Sequence, residues 1–119
     1  MNPEQLVQEI LQAGMEHQVI VFDKPERLQR VRQASQGQVA IMPKWHPADG
    51  TTAWVDKLQP DAVEIDANEI TPAITKAFHD KKIKVQTKNL GEWDTPEFWD
   101  KVLAAHVDWI QTDLPEEII

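Results

Sequence analysis

Residues Val19-Ile20-Val21-Phe22-Asp23-Lys24-Pro25-Glu26 decide the fold, because they join a strand directly to a helix. The first four form a continuous apolar run rich in β-branched side chains, which is typical of a strand buried on both faces of a parallel sheet. Asp23 followed by Glu26, with Pro25 between them, predicts a helix start in which Asp23 is the N-cap. We therefore predict that a βα unit begins at residue 19.

The same alternation continues to the end of the chain. Further strand-like runs begin at residues 39, 62, 83 and 108, and apolar residues at helical spacing fill each gap. Regular βα repeats predict parallel strands joined by right-handed crossovers. We predict one α/β domain over residues 1–119. Its five strands fit either an open doubly wound sheet or part of a (β/α)₈ barrel, since a whole barrel needs about 250 residues.

Composition excludes several classes of function. The 119 residues carry a formal net charge of −8, which disfavours nucleic acid and anionic lipid as partners. Apolar runs are far shorter than the ~20 residues of a membrane span. The start, Met1-Asn2-Pro3-Glu4, lacks the pattern of a signal peptide. We therefore expect a soluble, cytoplasmic protein with no nucleic-acid or membrane partner.

The absence of cysteine restricts the metal sites that the chain can build. With no cysteine, a thiolate zinc site and a cysteine nucleophile are excluded. Any metal would be held by oxygen and imidazole, which favours Mg²⁺ or Ca²⁺ on carboxylates with histidine as a helper. Such a site is expected at the carboxyl ends of the strands, where parallel α/β folds carry their chemistry.

Two acids on the third predicted strand are the candidate metal ligands. Glu64 and Asp66 are two residues apart, so on a strand they point to the same face. At the end of a sheet they could hold a hard divalent cation. Alternatively, they are acids at a strand end that reach solvent.

Other strand ends supply candidate substrate-binding residues. Lys44 and Lys88 could neutralise a phosphoryl group, because charge builds on its oxygens. Trp45 could form a pocket wall, or it could pack on a neighbouring helix. Asn89 and Asp113 are polar residues at the ends of the fourth and fifth strands, where Asp113 could also cap a following helix. The full set of strand-end residues is Asp23, Lys44, Trp45, His46, Glu64, Asp66, Lys88, Asn89, Asp113 and Leu114.

Several segments of the second half of the chain form an ordered set of motifs. The last is Asp108-Trp109-Ile110-Gln111-Thr112-Asp113-Leu114-Pro115, with its Thr-Asp and proline ending. The segments that precede it are Ile70-Thr71-Pro72, Ala77-Phe78-His79, Lys84-Val85 and Leu90-Gly91-Glu92-Trp93-Asp94. In this order and spacing they resemble the C-terminal half of glycerophosphodiester phosphodiesterases. The resemblance implies the C-terminal half of a TIM (β/α)₈ barrel and metal-dependent hydrolysis of a phosphoric diester in glycerophospholipid metabolism.

The resemblance also implies catalytic groups that this chain does not carry. The family relies on a His-Arg pair, a Glu-x-Asp metal motif on an early strand and a second histidine. The sequence contains no His-Arg pair, and its Glu64-Ile65-Asp66 lies on a later strand than the family's motif. We therefore assign no catalytic residue, leave enzymatic activity open and expect the isolated chain to be incomplete or inactive. The alternative is a non-catalytic α/β binding or structural module that self-associates.

A half-barrel predicts a partner. The runs Val19–Phe22 and Val39–Met42 are too apolar to leave one side in water, and open strand edges invite pairing with another chain. We expect the inward residues of every strand to be apolar and to be covered from outside the chain. A homodimer is the favoured cover, and a separate N-terminal half is the alternative. A third possibility is that the chain refolds as an open sheet with helices on both sides.

Overall fold

The protein is described by a computed structural model that covers residues 2–49 and 53–118. Strands and helices alternate along the chain, and the strands lie within a residue or two of the predicted runs. The strands are β1 (Ile20–Phe22), β2 (Ala40–Met42), β3 (Ala62–Asp66), β4 (Lys84–Lys88) and β5 (Trp109–Gln111). The helices are α1 (Pro3–Gln12), α2 (Pro25–Ser35), α3 (Ala53–Leu58), α4 (Pro72–Asp80), α5 (Pro96–Ala104) and α6 (Pro115–Ile118).

Every recorded strand pair is parallel, which confirms the predicted α/β class. The strands form two sheets, one with the order β1-β2 and one with the order β3-β4-β5. The chain divides into two compact units, Met1–Lys44 with Thr51–Asp61 and Trp45–Gly50 with Ala62–Ile119. The single domain stays a prediction.

Proline and short polar side chains set the helix starts. Five of the helices in the described ranges begin with proline, whose fixed φ and missing N–H suit the first turn. The Thr71 hydroxyl accepts a hydrogen bond from the Ile74 amide at 3.2 Å, as predicted for a cap of α4. The predicted cap at Asp23 is wrong by one residue, since Lys24 occupies the N-cap of α2. Asp23 instead accepts from the Lys24 amide and from Arg27 Nε.

The first unit has a core between its helices and the β1–β2 sheet. Val21 and Ile41 are in register on adjacent strands and point into this core. The other buried members are Val7, Ile10, Leu28, Val31, Val39 and Leu58. Because successive strand residues alternate between faces, Ile20, Phe22, Ala40 and Met42 share the opposite face. That face is apolar, and the Phe22 side chain on it is 50% exposed.

The second unit has one apolar and one polar sheet face. Val63 lies opposite Val85 and Ile65 opposite Thr87, and all four are fully buried. The other face carries Glu64, Gln86, Asp66, Lys88 and Gln111 in register, together with Ala62, Lys84 and Trp109. The expectation that the inward residues of every strand are apolar is therefore wrong for this sheet, because most of the alternate positions on that face are charged or amide side chains.

Two aspartates make the same backbone contact in different units. Asp61 precedes β3, and its carboxylate and amide bond to the amide and carbonyl of Ile41 at 2.9 and 3.1 Å. Asp108 precedes β5 and makes the same two bonds to Val85, at 2.8 and 2.9 Å. Asp108 thus continues the β4–β5 ladder by one residue, and Asp61 makes the same pair of contacts within the first unit. In both places a second aspartate follows five residues later, Asp66 after Asp61 and Asp113 after Asp108. The sequence analysis did not identify this repeat.

A third aspartate ties the loop after β4 to the end of β5. Asp94 accepts hydrogen bonds from Trp99 Nε1 at 2.8 Å, from the Thr112 hydroxyl and from the Asp113 amide at 2.9 Å. Burial raises the pKa of Asp94, but the hydrogen bonds from Thr112, Trp99 and the Asp113 backbone outweigh burial and hold the pKa below its usual range. The ionised carboxylate is therefore the form that the fold stabilises.

Replacing Asp108 with alanine tests the strand-extending contact. Asp108→Ala should lower the free energy of unfolding by about 1–2 kcal/mol, because the buried Val85 amide loses its side-chain acceptor. Asp108→Asn keeps an oxygen acceptor and should lose less than half as much. Urea denaturation measures both variants, and equal stability of the alanine variant and the wild type would contradict the contact.

Replacing Asp94 with asparagine tests the loop anchor and gives a pH signature. Asp94→Asn should cost about 1–2 kcal/mol at neutral pH, since an amide nitrogen cannot accept from the Asp113 N–H. The folded-state pKa lies below the unfolded value of about 3.9, so the contribution is complete above that pH and disappears as pH falls further. Unfolding curves from pH 7 to pH 2.5 should therefore converge in acid, and a constant difference would exclude the carboxylate as its source.

Candidate metal centre

The carboxyl ends of the second sheet bring polar side chains into one row. Asp66 of β3 is in register with Lys88 of β4, and Lys88 with Gln111 of β5. Cα partners in adjacent strands lie about 5 Å apart. The row therefore places a carboxylate, an ammonium and an amide side by side at the edge of the sheet where such folds carry ligands.

Beside this row lies a group of three candidate metal ligands. His46 Nδ1 is 2.8 Å from Glu69 Oε1 and 3.9 Å from Asp66 Oδ2. One ligand atom from each residue lies within 4.8 Å of the other two, and all three residues are half-buried. Within residues 2–49 and 53–118, this is the one such group of histidine and carboxylate side chains.

Backbone contacts hold the loops that carry these ligands. The Trp45 amide donates to the Glu64 carbonyl at 2.9 Å, which fixes the residue before His46 against β3. The Glu69 amide donates to the Asp66 carbonyl at 2.9 Å, so a turn brings the Glu69 side chain back over the end of β3. The Ala67 amide donates to the Lys88 carbonyl at 3.2 Å and continues the β3–β4 ladder.

Of the two predicted metal ligands, one belongs to the group. Asp66 is a member, and Glu64 lies two residues before it on the same face of β3. Glu64 is only 6% exposed and accepts a hydrogen bond from Gln86 Nε2 at 3.3 Å. Ligation by Glu64 stays a prediction, as does the identity of the ion.

Two of the predicted substrate-binding residues have structural contacts. The Trp45 ring is 7% exposed and packs edge-on against Phe78 of α4, with 5.1 Å between centroids. The fully buried Asn89 accepts from the Thr87 hydroxyl at 2.8 Å and donates to the Trp93 carbonyl at 3.1 Å. The contact of Trp45 agrees with the alternative that this residue packs on a neighbouring helix. The contacts of Asn89 hold the loop that follows β4. Their substrate-binding roles stay predictions.

The remaining predicted residues lie at other strand ends. Lys88 is half-buried beside Asp66 in the sheet, whereas Lys44 follows β2 in the first unit and is also half-buried. Asp113 is exposed, and its amide donates to Asp94. Asp113 does not directly precede α6, which begins at Pro115.

Sequence reasoning missed Glu69 and left His46 without a role. Glu69 follows Asp66 by three residues, a spacing that places two side chains together only if the chain turns after the strand. His46 lies 20 residues before Asp66, and only the loop after β2 brings it there. A carboxylate three residues beyond an acidic strand end is the signal that could have identified Glu69.

The described helices do not include one with the length and apolarity of a membrane crossing.

No protein-family profile matches the sequence, and no curated protein matches it. Solved structures do match. A protein from Galdieria sulphuraria that is assigned as a glycerophosphodiester phosphodiesterase aligns with 98% of this chain and 48% of its own, at a TM-score of 0.81 and 18% identity.

A second match supports the same architecture. A protein from Silicibacter pomeroyi DSS-3, assigned as a glycerophosphoryl diester phosphodiesterase, aligns with 98% of this chain and 43% of its own, at a TM-score of 0.79 and 16% identity. This chain therefore spans about half the length of the structures that it matches. These matches confirm the resemblance at the level of fold: the chain has the architecture of roughly half of a (β/α)₈ barrel of the glycerophosphodiester phosphodiesterase type.

Proposed function

We propose that this chain supplies part of the active site of a metal-dependent phosphodiester hydrolase that acts on glycerophosphodiesters. The observation that carries the proposal is the row Asp66, Lys88 and Gln111 at the carboxyl ends of a sheet with this fold. In barrels of this type, residues from several strand ends meet the substrate together. Part of a barrel can therefore supply part of a site.

The residues in the row have separable tasks in this proposal. Lys88 would neutralise negative charge on the phosphoryl oxygens of the bound diester. Asp66 would hold a divalent cation. The cysteine-free composition by itself favours Mg²⁺ or Ca²⁺, and the side chains around Asp66 decide the class of ion. When bound, such a cation polarises a phosphoryl oxygen and stabilises the charge of the transition state.

Proton transfer would come from outside the chain. The sequence has no His-Arg pair, which the resemblance places at the centre of the reaction. We propose that a separate N-terminal half-barrel completes the site, because a second copy of this chain lacks the His-Arg pair as well. In the absence of that half, a second copy of this chain, in a homodimer, is the proposed cover for the apolar face of β1–β2. The half-exposed Phe22 on that face supports this part of the proposal. Roles in lipid metabolism and a cytoplasmic location are expectations of the same proposal.

A second candidate function is a non-catalytic module that keeps the fold and self-associates. Two observations favour it. Trp45 and Asn89, which could have bound substrate, make internal packing and loop contacts. The His-Arg pair is also missing from the sequence. In this case the strand-end row would have no ligand, so ligand binding separates the two candidates.

Titration with glycerol 3-phosphate, followed by the amide shifts of the labelled protein, tests the proposed function. Shifts should change at residues 66, 88 and 111, and Lys88→Met should weaken binding about tenfold, because one charge-assisted contact to phosphate is lost. Lys57 is an exposed residue of α3, so Lys57→Met is the matched control and should bind like the wild type. Unchanged shifts at the strand ends would favour the non-catalytic module.

Hydrolysis of a generic phosphodiester gives the second measurement. The isolated chain should show no turnover above the metal blank with Mg²⁺ or Ca²⁺, since it lacks the His-Arg pair on which, by the resemblance, the reaction relies. Should turnover occur, Glu64→Gln tests whether the predicted carboxylate takes part. Turnover by the isolated chain that survives this substitution would contradict both the incompleteness and the metal-binding role of Glu64.

A further inference from the structure

We propose that His46, Asp66 and Glu69 form a binding site for a first-row divalent cation of the Zn²⁺ and Co²⁺ class, in preference to Mg²⁺ or Ca²⁺. The inference deepens the proposed function, because it concerns a cation at the same strand end. It depends on three side chains and can be measured without turnover. The two proposals can therefore fail separately.

The two distances from His46 to the carboxylates are close to those of a metal site, and the ligand atoms of Asp66 and Glu69 lie within 4.8 Å of each other. Two ligands at about 2.1 Å from a common ion, at angles between 90° and 109°, are about 3.0–3.4 Å apart. His46 Nδ1 lies 2.8 Å from Glu69 Oε1 and 3.9 Å from Asp66 Oδ2, one slightly short and one slightly long. Shifts of about half an ångström bring both into range.

The placement of the ligands makes such shifts easy. Asp66 is the last residue of β3 and is held by the ladder to β4, so it provides the fixed ligand. His46 and Glu69 lie on loops and are half-buried, so their side chains can rotate towards an ion. The group therefore combines one rigid ligand with two adjustable ones.

The donor set selects the class of ion. One imidazole and two carboxylates form a mixed nitrogen and oxygen set, and imidazole suits Zn²⁺, Co²⁺, Ni²⁺ and Cu²⁺ better than Mg²⁺ or Ca²⁺. The two hard cations instead take six or more oxygen ligands, or keep several waters. Three protein ligands leave a fourth position for water or a ligand oxygen, as in open zinc sites.

A second histidine–carboxylate contact in the same unit provides the comparison. His79 Nε2 lies 2.7 Å from Asp108 Oδ2, which is as short as the contact between His46 and Glu69. The same Asp108 oxygen also accepts from the Val85 amide, which gives it a structural task. Among the residues that the structure describes, no third ligand joins this pair. The third ligand is what distinguishes the His46 group.

Binding of Co²⁺ to the protein without a histidine tag, followed by visible absorption, tests the proposal. One equivalent should bind and be displaced by Zn²⁺, whereas millimolar Mg²⁺ should not displace it. His46→Gln and Glu69→Gln should each weaken Co²⁺ binding by more than about tenfold, the least that loss of a supporting group costs at metal sites. His79→Gln is the matched control and should bind as the wild type does.

Three results would overturn the proposal. Circular dichroism of each variant shows whether it is folded, so that a loss of binding is not mistaken for unfolding. The first is no Co²⁺ binding by the wild type. The second is an equal loss of affinity in the folded His79→Gln and His46→Gln proteins, which would indicate non-specific binding by surface histidines. The third is displacement of Co²⁺ by Mg²⁺ at similar concentrations, which would contradict the class of ion. None of these results depends on glycerol 3-phosphate binding.

Discussion

A parallel sheet is stable only when both of its faces are covered, and this constraint governs the structure. Helices follow every strand, and each sheet has one apolar face that is buried, with Val21 and Ile41 in the first unit and Val63 and Val85 in the second. The opposite faces differ. In the β3–β5 sheet that face is mostly polar and carries the candidate site. In the β1–β2 sheet it is apolar and leaves Phe22 half-exposed.

The fold could be predicted from local signals because each signal reports a local cause. Apolar runs of four residues marked β1 and β2. Thr71-Pro72 marked the start of α4, and the Thr71 hydroxyl does cap that helix. The contacts of Asp61 and Asp108 could not be predicted, since they join a residue to a strand more than 19 positions away. The polarity of the second face of β3–β5 was misjudged because strand composition was taken as a whole, whereas burial follows alternate positions.

The candidate site was predictable only in part. Asp66 could be chosen because an acid at the end of a buried strand faces the edge where ligands bind. His46 and Glu69 join it through two loops whose course no short pattern in the sequence encodes. Trp45 and Asn89 show the reverse case, in which residue types suited to binding serve packing and loop anchoring. Residue type and position suggest where a site lies, and the geometry of the loops determines which residues belong to it.

The central proposal is that the apolar face of β1–β2 is covered by a second copy of this chain, and the mass of the protein in solution tests this proposal most directly. Light scattering should give twice the protomer mass for the wild type. Phe22→Ser should reduce the mass towards one protomer, because the exposed aromatic ring on that face is lost. A wild-type mass of one protomer at high concentration, unchanged by Phe22→Ser, would contradict the claim.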